Sequence, residues 1–168
     1  MPICVSNCRL TALKESIQSE IGNWQLAMVE IINRQRKHRV NLKKWRLFSQ
    51  RAIKSIGTEK DDVSIVFVSN AAMRKLNRQY RGKDYVTDVL SFPSAHERFE
   101  NQLKANLGEV VISLERAATQ SKENGLTIAN EVEQLILHGL LHLCGYDHAS
   151  DNGEMNRLEL KLRRKLGI

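Results

Sequence analysis

Apolar residues recur at helical spacing over 42–56, at Leu42, Trp45, Phe48, Ala52, Ile53 and Ile56. Asn41 stands where a helix is capped and Gly57 where one closes, so the pattern predicts a helix. Before it, MVEIINRQ from Met28 alternates through Val29, Ile31 and Asn33 like an edge strand. VSIVFV at 63–68 is a short β-branched apolar run and predicts a central strand. Asn70 is read as the cap of a second helix to about Tyr80, with Met73 and Leu76 inward, and 81–85 as a loop. Further strands are expected at 88–92, stopped by Pro93, and at 109–113, with a surface loop over 94–106. Ser113 caps a helix to about Asn124, ended by Gly125, and Thr127 caps one from Ile128 to about Leu143, ended by Gly145. Ser150 or Asp151 is expected to start a last helix, with Met155, Leu158, Leu162 and Leu166 on one face. Strands and helices alternate imperfectly, which predicts an α+β or α/β fold.

Residues 1–27 fit less well. Leu13, Ile17, Ile21 and Trp24 make a weak helical pattern with no clear join to the strand from Met28. Met28 is read as the natural start, 1–27 as an upstream extension or accessory helix, and 28–168 as a single domain.

Composition narrows the function classes. With 168 residues, 42% hydrophobic and 27% charged, the chain has the size and composition of one ordinary globular domain. No apolar run approaches the roughly 20 residues that span a bilayer, so no membrane partner is expected. The formal charge is +7, and the two basic and two acidic residues of 1–27 leave it with the rest of the chain. Such a surface favours polyanions. Three cysteines, Cys4, Cys8 and Cys144, form no paired framework, and the first residues lack a signal-peptide pattern. A reduced, cytoplasmic protein is expected.

Candidate chemistry concentrates in HGLLHLCGYDH. His138 and His142 lie four apart on a predicted helix, so both imidazoles can face one ion. Gly145 can turn the chain and bring His148 back as a third nitrogen ligand. Three imidazoles with an open fourth position suit a catalytic zinc, whose bound water ionises near neutral pH. The spacing is that of the zincin-like metzincin peptidases, except that their general-base glutamate is replaced by Gly139. That disfavours a peptidase. Asp147 is read as a helix cap or a partner of a ligand, and Cys144 as a small buried hydrophobe facing away from the ligands.

Two further segments carry charge. In YRGKDYVTDVLSFP, Arg81 offers a planar fork suited to phosphate. Asp88 either fixes its loop with Thr87 or supports a ligand histidine. Arg34, Arg36, Lys37, His38, Arg39, Lys43, Lys44 and Arg46 form a second cluster. With Arg74, Lys75, Arg78, Arg81 and Lys83 they predict a polyanion surface, although few aromatics interleave to stack bases.

Together HGLLHLCGYDH, YRGKDYVTDVLSFP and LGEVVIS resemble the YbeY family of bacterial ribosomal RNA maturation endoribonucleases, from about Met28 to Ile168. The resemblance implies an α+β fold: a small mixed β-sheet packed with helices, its metal site on a helix and the following turn. It also implies a metal-dependent, single-strand-specific endoribonuclease acting in 16S ribosomal RNA 3′-end maturation and ribosome quality control. By motif match, His138, His142 and His148 are the expected zinc ligands, with one Zn(2+) per chain, and Arg81 the functional arginine. Arg34, Arg36, Lys37, Arg39, Lys43 and Lys44 are expected to hold RNA, with Asp88 and Asp147 behind the ligands. The expected partners are single-stranded RNA and the small ribosomal subunit with its proteins, without a small-molecule cofactor. Val86 and Glu109 depart mildly from the family's usual proline and aspartate. The alternatives are another metallohydrolase, peptidase-like without the usual glutamate, and a non-catalytic ribosome-assembly factor with structural zinc.

Overall fold

The computed structural model describes residues 28–58, 62–94, 106–146 and 152–168. The proposed extension over 1–27 and the centre of the loop expected over 94–106 lie outside them. The described elements are β1 (Val29–Asn33), α1 (Leu42–Ile56), β2 (Asp62–Val68), α2 (Asn70–Arg81), β3 (Val89–Pro93), β4 (Asn106–Ser113), α3 (Leu114–Glu123), α4 (Ile128–Leu143) and α5 (Glu154–Leu166). This is an α+β fold, a four-stranded mixed sheet with five helices among the described residues.

The sheet runs β1-β2-β4-β3. β1, β2 and β4 are parallel, and β3 pairs antiparallel with β4 as an edge strand, Ser91 opposite Val110. Because strand side chains alternate between faces, the sheet serves two hydrophobic clusters. Ile65, Phe67, Val110 and Ile112 face the larger one, with Phe48 and Ile53 of α1, Leu137 and Leu140 of α4, and Met155 and Leu162 of α5. Val68, Leu90 and Val111 face the smaller one, with Met73 of α2. β3 serves both, since Val89 packs on the larger cluster while Leu90 and Phe92 belong to the smaller.

Caps settle most boundaries as the pattern predicts. Asn41 accepts from Lys44 N, Ser113 from Arg116 N and Thr127 from Asn130 N. Several boundaries shift, including β2, which starts at Asp62, and β3, which runs Val89–Pro93 and takes in the proline expected to stop it. Ser69 rather than Asn70 caps α2, because its hydroxyl is the group that accepts from Ala72 N at 3.3 Å. α2 continues to Arg81, one residue into the expected loop, and Gly82 ends it. β4 starts at Asn106, since Leu107 O still accepts from Ser94 N at 3.1 Å. Gly153 precedes α5, whose start is therefore later than Ser150 or Asp151, both outside the described residues.

α4 is the central helix, apolar on nearly every side: Val132, Leu135, Ile136, Leu137, Leu140, Leu141 and Leu143 are buried. It lies unusually close to the sheet at Gly139. A Cβ there would run into Val110 Cγ1, and the Gly139 carbonyl accepts a hydrogen bond from Ser91 Oγ at 3.2 Å. Only glycine allows this approach. Gly139→Ala is expected to cost about 1–3 kcal/mol of stability through overpacking, read as a lowered urea midpoint at unchanged slope. Wild-type stability in Gly139→Ala would show that the helix has room there.

Candidate functional site

His138 and His142 lie in the last turns of α4, half-buried, past the point where Gly139 seats the helix on Val110 and Ser91. The i, i+4 spacing stacks the rings on one face with centroids 4.7 Å apart, edge to face. Their Nε2 atoms are 3.1 Å apart. Two imidazole nitrogens on one tetrahedral zinc, bound at about 2.0–2.1 Å, stand about 3.3 Å apart. The pair therefore fits a divalent metal ion. Gly145, with φ of +88°, turns the chain just after the helix as expected. His148 and Asp147 lie outside the described residues. Cys144 closes the helix and is only half-buried, not the fully buried hydrophobe expected, because the helix ends at it.

The other ring nitrogen of His138, Nδ1, meets Glu159 Oε2 at 3.1 Å. Glu159 is on α5, its side chain 7% exposed, and its Oε1 accepts from Arg163 Nη2 at 2.6 Å. Burial pushes the Glu159 pKa up. Hydrogen bonds from His138 and Arg163, with their charges, outweigh that and hold it below the usual carboxylate value.

Asp88 takes the first of the two roles considered for it, fixing its own loop with Thr87. Its Oδ1 accepts from Val89 N at 2.9 Å and Thr87 Oγ1 at 3.1 Å, while its backbone carbonyl accepts from Ser113 N at 2.8 Å. It fixes the entry to β3, and the carboxylate that accepts from His138 Nδ1 is that of Glu159. Sequence reasoning missed Glu159. The available signal was an acid within the apolar stripe Met155, Leu158, Leu162 and Leu166.

The histidines open into a cleft of about 720 Å³ between α4, the edge strand β3 and the end of α2. Arg81 lines the same cleft, carried there by the last turn of α2. Tyr80 packs edge-on against Phe92, ring centroids 5.0 Å apart, and Asn77 donates to Tyr85 O at 2.8 Å, fixing the chain after α2. Tyr80, Phe92 and Tyr146 also line the cleft. These rings are far apart in the chain, so their convergence was hidden from a search for aromatics among the basic residues. Gly139 is in the buried wall against Val110, and a glutamate has no room in the place where a peptidase would carry its base.

The basic cluster divides. Lys37 pairs with Glu115 at 2.9 Å, and Glu115 also accepts from Asn70 N at 3.1 Å, so the loop after β1 is tied to the start of α2. Lys44 pairs with Glu133 at 3.3 Å and sits over the Trp45 ring. Glu133 precedes His142 by nine residues, about 14 Å of helix. Arg34, Arg36, Arg39 and Lys43 are exposed. Arg74 is held by Asp84 through two hydrogen bonds of 2.9 Å. Lys75, Arg78 and Arg81 are exposed along α2, which leads from the Glu115 tie to the cleft.

A family profile described as Endoribonuclease YbeY matches residues 30–167. An Endoribonuclease YbeY of Geobacter metallireducens is 36% identical, over 83% of this chain and 94% of that protein. One from Thermodesulfovibrio yellowstonii is 36% identical over 82% of this chain and 94% of its own length. The solution structure of TM1509 from Thermotoga maritima matches with a TM-score of 0.58 at 25% identity, covering 83% of this chain and 89% of that one.

The Lys37 and Asn70 hydrogen bonds hold the Glu115 pKa below its ordinary 4.5 against a smaller opposing effect of burial. A depressed folded pKa stabilises the fold above 4.5 and loses that contribution as the pH falls through the lowered value. Glu115→Gln is expected to cost about 1 kcal/mol at pH 7. The gap from wild type should close on acidification below 4.5, as followed by urea unfolding across pH. A gap independent of pH would assign the loss to packing.

Proposed function

Because the chain belongs to the YbeY endoribonuclease family, we propose that it is a zinc-dependent, single-strand-specific endoribonuclease. Its proposed substrate is the 3′ end of 16S ribosomal RNA, and its proposed wider role is ribosome quality control in the cytoplasm. One observation carries the reading: paired Nε2 atoms 3.1 Å apart open into the same cleft as an exposed arginine. No described helix is long and apolar enough to cross a membrane.

His138 and His142 are the described residues that would hold the metal, and His148 is the proposed third ligand. A zinc ion held there would supply Lewis acidity and activation of water at neutral pH. The chain's own residues supply the rest. Arg81 presents a planar fork of donors, suited to two oxygens of one phosphate and to the charge that grows there during cleavage. Tyr80, Phe92 and Tyr146 provide ring faces and edges for unpaired bases, a contact that a base-paired strand cannot make. Thr87 and Ser91 add hydroxyls to the cleft wall. The exposed residues Arg34, Arg36, Arg39 and Lys43, with Lys37 and Lys44 in their ion pairs, are proposed to attract the RNA backbone.

Wild-type protein is expected to contain about one zinc per chain and to cut single-stranded but not duplex RNA. His142→Ala should lose both metal and cleavage. Arg81→Ala should keep the metal and lose about 100-fold or more in cleavage rate, the scale of a missing charge-stabilising donor. Labelled product ends identify the attacking group. A 2′,3′-cyclic phosphate marks the RNA 2′-hydroxyl, and a plain 5′-phosphate excludes it. Zinc without cleavage of free RNA would redirect the assay to small ribosomal subunits, and absence of zinc would overturn the reading.

A further inference from the structure

Glu159 is out of place by the rules that build the rest of α5. Met155, Leu162 and Leu166 on the same face are buried in the larger cluster, and Glu159 lies among them with its side chain 7% exposed. Leucine at this position would extend the stripe and avoid the desolvation of a charge. Both carboxylate oxygens are instead committed. Oε1 accepts from Arg163 and Oε2 meets His138 Nδ1.

The second contact dictates the protonation of the ring. A carboxylate only accepts, so His138 Nδ1 must carry the proton. Its Nε2 is then left with a lone pair, and that atom faces His142 Nε2 at 3.1 Å in the cleft. Neutral imidazole is the ligand form, and the hydrogen bond at one nitrogen selects the other for the metal. Arg163, one turn further along α5, holds the carboxylate from behind.

We infer that Glu159 is a positioning residue for the metal site: it fixes His138 in the Nδ1–H tautomer and aims its Nε2 into the cleft, with Arg163 anchoring the carboxylate. The inference rests on the reading of His138 and His142 as metal ligands. It assigns α5, which contributes no described residue with an atom facing the cleft, a part in metal binding.

The test separates positioning from structure. Zinc affinity is measured by chelator competition for wild type, Glu159→Leu and Glu159→Gln, each prepared metal-free as the full chain. Thermal unfolding and nitrogen NMR of the imidazoles are recorded on the same metal-free samples at a pH where histidine is neutral. Glu159→Leu is expected to bind zinc about 10–100-fold more weakly, to unfold no earlier than wild type, and to lose the Nδ1–H form of His138. Glu159→Gln keeps an acceptor oxygen, so it should retain that tautomer and lose less affinity. If Glu159→Leu does not fold, the tautomer in wild type and the affinity in Glu159→Gln decide. Wild-type His138 in the Nε2–H form, or unchanged affinity in both variants while wild type binds zinc, would overturn the inference and leave the metal reading standing. Failure of wild type to bind zinc at all would remove both.

Discussion

α4 approaches the sheet so closely at Gly139 that no side chain separates helix backbone from Val110, and the rest of the site takes its position from that contact. The helix axis, and with it the direction in which His138 and His142 project, is set against β3 and β4 rather than by the histidines themselves. Ser91 Oγ, donating to the Gly139 carbonyl, ties the edge strand into the same junction. A cavity wall made this way resists adjustment, because a packed interior has no slack for a shift of one methyl group. The same packing explains why a metzincin-like spacing of histidines occurs here without the adjoining glutamate. The residue after His138 faces the sheet, so the position is committed to packing.

Charges are placed where they join elements that share no sequence proximity. Glu115, in the first turn of α3, reaches both the Lys37 loop and the first amide of α2. An acid there also suits the positive end of α3. Glu159 reaches from α5 to α4. Each carboxylate holds two donors, and each pKa is lowered for that reason despite burial acting the other way. These links act on orientation more than on total stability, since exposed ion pairs such as Lys37–Glu115 are individually weak.

The sequence made legible what local rules govern. Caps, apolar periods and the i, i+4 histidines each depend on neighbours in the chain, and Asn41, Ser113, Thr127 and the histidine pair stand where their spacing put them. Asn70 misled because two adjacent residues can both cap: the Ser69 hydroxyl accepts from Ala72 N, while Asn70 Oδ1 accepts from Ser113 Oγ. Contacts across the fold were not legible. Asp88 lines the cleft with the histidines, and its Oδ1 accepts from Val89 and Thr87, a local role that its neighbours in the chain did suggest. The carboxylate on His138 comes from 21 residues away, on a helix whose pattern suggested only a packing face. The aromatic lining needed α2, β3 and the turn after α4 to meet.

β3 is the element in which these lines converge, and its period of two explains the asymmetry of the cleft. Val89 and Ser91 turn to the α4 side, one packing on the larger cluster and the other donating to Gly139. Leu90 and Phe92 turn to the α2 side, where Phe92 and Tyr80, the neighbour of Arg81, meet edge to face. The histidines and the arginine are thus referred to opposite faces of a single five-residue strand. A shift of register by one residue would exchange the two faces, set Leu90 against Gly139 and withdraw the Phe92 contact from Tyr80. The antiparallel pairing of Ser91 with Val110 therefore fixes the separation between the histidine nitrogens and the Arg81 guanidinium. Because β3 pairs on one side alone among the described residues, its other edge leaves backbone donors and acceptors along the cleft between them.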